Sequence, residues 1–136
     1  MPAMKAVHDT DPRKEIMKKV KDDLRELELF GNNILVAVYQ RPKEAQYGKL
    51  KLHLADSTRD EDKHQGKVGL VLKLGPRAFQ DDDEFDFHGQ SVEVGDWIVY
   101  RPSEGWQLTL TDNQVLCRML TEGSIRMRIP SPDMVW

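Results

Sequence analysis

Six consecutive apolar residues, Ile34-Leu35-Val36-Ala37-Val38-Tyr39, constrain this chain more than any other segment. β-Branched and aromatic residues predominate, which favours a strand. Successive side chains of a strand point to opposite faces, so this one needs apolar cover on both sides. Arg41-Pro42 stops it, because proline cannot donate to a central ladder. A chain of 136 residues is one domain, or a domain of about a hundred residues with arms.

Before this strand the pattern is helical. Asp11 suits an N-cap and Pro12 the first helical position, where its missing N–H costs nothing. Ile16, Val20, Leu24 and Leu27 fall on one stripe, with charged residues on the other faces. The spacing predicts an amphipathic helix with one docking face, ended by Gly31-Asn32-Asn33. Met1 to Asp9 has no periodicity and reads as a loose arm.

After the strand the period is two. Leu50, Leu52 and Leu54 alternate with Lys49, Lys51 and His53, a one-sided strand pattern. Asp56 to Gln65 is polar and reads as a loop. Val68, Leu70, Leu72 and Leu74 are expected on one face, with Lys67, Gly69, Val71 and Lys73 on the other. An acidic excursion from Asp81 to Asp86 reads as a solvated, self-repelling tip. Trp97 to Tyr100, Trp106 to Leu110, Gln114 to Met119 and Ile125 to Ile129 follow as short strands between turn signals. In the last of these Ile125, Met127 and Ile129 are expected to face a core, with Arg126 and Arg128 outward. The tail from Pro130 is expected to leave the sheet. Short strands at such spacing argue for an all-β barrel or sandwich.

Several function classes are disfavoured. No apolar run is long enough for a membrane-spanning helix. A formal charge of -3 argues against a general nucleic-acid binder, since counterion release needs a basic face. The single cysteine, Cys117, allows neither an internal disulfide nor a cysteine-based zinc site. His8, His53, His64 and His88 are not spaced as a metal pair. The acidic run lacks the calcium-loop pattern, because Asp86 stands where glycine is needed. Phosphate-loop, dinucleotide-binding, zinc-protease and nucleophile-elbow patterns are missing too. The expectation is a non-enzymatic protein without metal or cofactor, located in the cytoplasm.

Four segments in order resemble the GroES-type co-chaperonins. Asn33-Ile34-Leu35-Val36-Ala37-Val38 is similar to the family's first barrel strand. Gly66-Lys67-Val68-Gly69-Leu70-Val71-Leu72-Lys73-Leu74-Gly75 resembles its Gly-x-Val-x-x-Val-Gly strand, and Pro76-Arg77-Ala78-Phe79 is similar to the continuation in phage-encoded members. Val94-Gly95-Asp96-Trp97-Ile98-Val99-Tyr100 resembles Val-Gly-Asp-x-Val-x-Phe/Tyr. Val115-Leu116, Glu122 and Ile125 match a closing Val-Leu…Glu-x-x-Ile pattern.

The resemblance spans Phe30 to Ile129. It implies a small irregular GroES-like β-barrel over 30–129, preceded by an arm and helix over 1–29 and followed by a tail over 130–136. It further implies a homo-oligomer, commonly a seven-fold ring, in which first and last strands of neighbours pair. Ile34, Val36, Val38, Ile125, Met127 and Ile129 are the interface residues on that reading. Asp81, Asp82, Asp83 and Glu84 fall at the family's roof loop.

Function in the family lies in a mobile loop that orders as it docks on an ATP-bound chaperonin ring, capping a chamber that holds a client protein. By resemblance Leu52, His53 and Leu54 stand at the docking tripeptide. The flanking leucines keep the anchors, while His53, Ala55 and the missing glycines depart from the pattern. Two readings of the segment remain open: a docking loop and a packed strand. Two functions follow. One is a co-chaperonin, phage-encoded and acting in the host cytoplasm, for clients such as capsid protein. The other is a virion decoration or assembly subunit that keeps the barrel, has lost docking, and laces its two arms onto neighbours.

Overall fold

The computed structural model describes residues 4–6, 11–40, 44–47, 50–53, 67–110 and 115–135. In chain order these form β1 (Met4–Ala6), α1 (Pro12–Glu26), β2 (Asn33–Val38), β3 (Glu44–Tyr47), β4 (Leu50–His53), β5 (Val68–Leu74), β6 (Trp97–Tyr100), β7 (Trp106–Leu110), β8 (Val115–Thr121) and β9 (Ile125–Ile129). Short 3₁₀ turns occupy Glu122–Ser124 and Pro132–Met134. The protein is mostly β. Six strands form one antiparallel sheet in the order β7-β8-β2-β5-β6-β9, and β1-β3-β4 form a second, three-stranded sheet. Among the described residues the large sheet is not closed: β7 and β9 are its two edges.

β2 lies inside this sheet, hydrogen-bonded to β5 on one side and β8 on the other. Its two faces enter two cores. Leu35, Ala37 and Tyr39 join Val68, Leu70, Leu72, Trp97 and Cys117 under α1, whose Val20 is fully buried among them. Ile34 and Val36 join Val71, Ile98, Tyr100 and Leu120 on the opposite side, beneath Ala78 and Val92 of the β5–β6 connection. Burial on both faces is what an unbroken apolar run requires.

The sheet curls toward the second core. β6 and β7 are four places apart in the strand order, about 19 Å across a flat sheet at about 4.8 Å per step. Yet only residues 101–105 join them, through turns. Arg118 of β8 donates to the carbonyls of Pro102 and Glu104 in that turn at 2.6 and 3.2 Å. Its guanidinium carbon lies 6.0 Å from the ring centre of Tyr100 on β6. A flat sheet would hold those two strands much farther apart.

Several expectations are corrected. Met4–Ala6 is not loose arm but strand, antiparallel to β3. α1 begins as expected, with Asp11 Oδ1 accepting from the Arg13 amide at 3.0 Å, but it stops at Glu26, short of Gly31. The stop is made by a distant residue: Lys73 donates its ammonium to the carbonyl oxygens of Leu24 and Leu27. The tail does not leave. Pro132 is buried, and the Tyr39 hydroxyl donates to Asp133 Oδ1 at 2.6 Å. The two arms proposed to reach neighbours therefore fold onto their own sheet.

Strict alternation fails at two irregularities. Between Leu35 and Val36 the β5 partners jump from Lys73 to Val71. The extra residue puts both Leu72 and Lys73 on the helix side and passes Leu74 to the second core. In β9 the partners of Val99 and Tyr100 are Met127 and Ile125, leaving Arg126 as the extra residue. Ile129 accordingly enters the first core and Ile125 packs on the second, while Met127 is 48% exposed.

Candidate functional site

The 75–96 connection between β5 and β6 carries the least regular backbone and the richest surface chemistry. It contains no strand among its described residues, so Asp81, Asp82, Asp83 and Glu84 sit on irregular loop, with a bend at Asp83 and Glu84. Its acids work locally. Asp82 Oδ1 accepts from the amides of Glu84 and Phe85 at 2.8 and 2.7 Å, Asp81 from Phe87 at 2.6 Å, and Asp86 from His88 at 2.7 Å. The bonds of Asp82 and Asp86 make Asx-type turns, in which a short carboxylate satisfies backbone donors, while that of Asp81 closes the loop across six residues. They make a built loop from what the sequence presents as a repelling run.

That loop aims aromatic rings at one another. Phe79 and His88 hold left-handed backbone, with φ of 58° and 55°. Non-glycine residues rarely adopt that conformation, and the Phe79 ring gains contacts there. It stacks edge-on against Phe87 at 5.4 Å, and Phe87 against Phe85 at 4.6 Å. Phe85 at the end of the series is 59% exposed.

Two grooves flank the rings. One, of about 780 Å³, runs between Asn32, Arg77, Asp81, Asp82, Phe85, Phe87 and the Thr121–Gly123 corner. The other, of about 520 Å³, lies between Phe79, Phe85, Phe87, Val92 and the strand residues Ile125 to Arg128. Glu122 and Gly123 line both. Asn32 donates to Glu122 Oε1 at 3.0 Å, whereas Glu122 Oε2 is buried without a hydrogen-bond partner. Sequence patterns flag Glu122 only as part of a closing motif, and nothing local marks it as facing Phe85 and Phe87, which lie far from it in the chain.

The Val-Gly-Asp segment has a physical basis here. Gly95 adopts a φ of 95° open mainly to glycine, and it donates to the Val71 carbonyl at 2.8 Å. The Asp96 carbonyl in turn accepts from the Val71 amide at 2.9 Å. Its carboxylate caps the Glu93 amide at 2.8 Å and lies 3.7 Å from Arg128 on β9. The turn thus fixes β5, β6 and β9 relative to one another.

The proposed interface residues separate into two groups. Ile34, Val36 and Val38 are buried in a strand whose two edges are already occupied, so β2 has no edge to offer a second copy. β9, which carries Ile125, Met127 and Ile129, pairs with β6 only and has a free edge among the described residues. Leu52 and His53 lie in β4, opposite Ala45 and Glu44 of β3, and Leu54 lies outside the described residues.

Other groups are occupied by the fold. Cys117 is fully buried, and burial reinforced by the Asp23 carboxylate pushes its thiol up to about 12, so it is not poised as a nucleophile. Burial also raises the Tyr100 phenol to about 12, with Arg118 opposing the shift. Among the described residues no three His, Cys, Asp or Glu side chains are grouped to hold a metal ion. No helix among them is long and apolar enough to cross a membrane. The chain matches no protein-family model and no curated protein sequence.

Proposed function

We propose that this protein is a GroES-type co-chaperonin subunit, an irregular barrel that assembles edge to edge and docks on a chaperonin ring. One observation carries the reading. The segments that resemble the family fall on the contiguous strands β8, β2, β5, β6 and β9 of one curled sheet, whose last strand has an unpaired edge among the described residues. A row of unpaired backbone groups is a template for another chain, and cyclic assembly removes it in every copy. Assembly on this reading uses β9, with exposed Met127 at the contact, and leaves β2 inside each subunit. Docking uses the β3–β4 hairpin, where Leu52 and His53 stand.

A second reading rests on the same hairpin. Leu50–His53 is already paired as a strand, whereas a docking loop that orders only on its partner is unpaired when free. This favours an assembly or decoration subunit that has the barrel without chaperonin binding. Co-sedimentation with a chaperonin ring, with and without ATP, separates the two. Nucleotide-dependent capture supports the co-chaperonin. Oligomers that never sediment with the ring support the second reading, and a monomer at all concentrations overturns the assembly common to both.

A further inference from the structure

The three strands of the smaller sheet are unequal. β3 and β4 are close in sequence and pair over four residues, from Glu44 with His53 to Tyr47 with Leu50. β1 pairs along the other side of β3 over three, placing Met4, Lys5 and Ala6 opposite Tyr47, Gln46 and Ala45. Among the described residues none of the three pairs with the six-stranded sheet. By register Ala45, Tyr47, Leu50 and Leu52 share one face, and β1 adds Met4 and Ala6 to it. A two-stranded hairpin alone is marginal in water, and a third strand that extends an apolar face brings it toward independent stability. The order of the hairpin therefore depends on its shortest neighbour.

β1 is also the easiest of the three to release. It is three residues long and paired on one side only, and short edge elements open at the lowest free energy. Four residues separate it from Asp11, the N-cap of α1, and Val20 and Lys73 anchor that helix to the large sheet. So short a tether keeps β1 beside β3 after each opening, which makes the release reversible. We infer that β1 is a strap: paired, it fixes the β3–β4 hairpin as sheet, and released, it frees the hairpin and bares the β3 edge for docking. An unpaired edge offers backbone donors and acceptors to another chain. The inference rests on the reading that this hairpin docks, and adds how docking is held off in the free protein. Packed strand and docking segment then become two states of Leu50–His53.

Two variants of the full chain move the strap in opposite directions. Successive residues of a strand alternate in donating to a given neighbour, so Lys5→Pro with Ala6→Pro removes the β1 donor in either register. Amide exchange at Gln46, Tyr47, Lys51 and Leu52 should rise about tenfold, the scale of one lost ladder bond, while α1 and β2 keep native exchange. Ala6 lies directly opposite Ala45, so Ala6→Cys with Ala45→Cys places two thiols within reach of a disulfide that holds β1 shut. The thiol of Cys117 is fully buried and does not compete. In co-sedimentation with a chaperonin ring and ATP, capture should rise about tenfold in the proline variant. It should be lost in the oxidised cysteine variant and return on reduction. Unchanged exchange in the proline variant would show that the hairpin holds without β1 and overturn the strap. Equal capture of the oxidised and reduced forms would overturn its control of docking and leave the co-chaperonin reading intact. Raised exchange without capture of any form would instead overturn that reading and leave β1 as the element that orders the hairpin.

Discussion

The ammonium of Lys73 donates to the carbonyl oxygen of Leu24 at 2.6 Å and also reaches Leu27, so a strand residue caps the helix that covers its own sheet. The last carbonyls of a helix lack intrahelical donors and carry the negative end of its dipole. Lys73→Met should therefore cost about 1–2 kcal/mol, the scale for a charged cap in a partly buried place. Denaturant unfolding reads the loss, and amide exchange should rise first in the last turn of α1. Lys19→Met removes an exposed pair with Glu15 and should stay within about 0.5 kcal/mol.

Two glycines should fail for opposite reasons. A methyl group at Gly75 would lie 2.4 Å from the Gly31 carbonyl oxygen and 3.0 Å from that of Asn33. Both are backbone atoms, so Gly75→Ala must separate the 31–33 turn from β5, at about 2 kcal/mol or more. Gly95 has open space around it but a φ of 95°. Gly95→Ala should cost about 1–2 kcal/mol through backbone strain alone. Chemical shifts separate the two: changes spread to Gly31 and Asn33 in the first and stay within the 93–97 turn in the second.

Stability should fall in alkali. The Cys117 thiol rises from 9.0 to about 12 and the Tyr100 phenol from 10.0 to about 12 on folding, chiefly because burial disfavours the charged forms. The unfolded chain releases these protons at lower pH than the native one. Stability contributed by each group is therefore complete below its unfolded value and declines as pH rises, until the native group also ionises near 12. One group contributes a slope of up to about 1.4 kcal/mol per pH unit. Urea midpoints between pH 8 and 11 measure it, and Cys117→Ala should reduce the slope. A thiol reagent at pH 8 should label Cys117 only as fast as the protein opens.

If the β3–β4 hairpin docks on a chaperonin, Leu52→Asp should abolish nucleotide-dependent capture and leave the oligomeric state unchanged by light scattering. Capture that survives both Leu52→Asp and Leu54→Asp would remove the hairpin from the docking surface.

Much of the fold was legible because it depends on local periodicity. β2, β5, β6, β7 and β9 lie where alternation and turn residues put them, and Asp11-Pro12 marks the helix start. What escaped depends on partners distant in sequence. Lys73 ends α1 from across the sheet, Tyr39 retains the tail through Asp133, and β1 exists only because β3 lies beside it. Alternation also misassigned Lys73, Leu74 and Met127, because one extra residue in a strand reverses every face beyond it. The groove shows the same division. Its acidic loop and phenylalanines are visible as composition, but Glu122 joins them only after the sheet curls.

The open edge of β9 also discriminates among partners. Two copies of β9 meeting antiparallel about Met127 would set Arg126 of each opposite Arg128 of the other. Like charges directly across a ladder repel, and here they would do so twice. If copies of this chain associate through β9, a twofold dimer in that register is disfavoured. An unlike strand meets no such penalty, so association through this edge would be expected head to tail, an order that generates rings when the rotation closes and filaments when it does not.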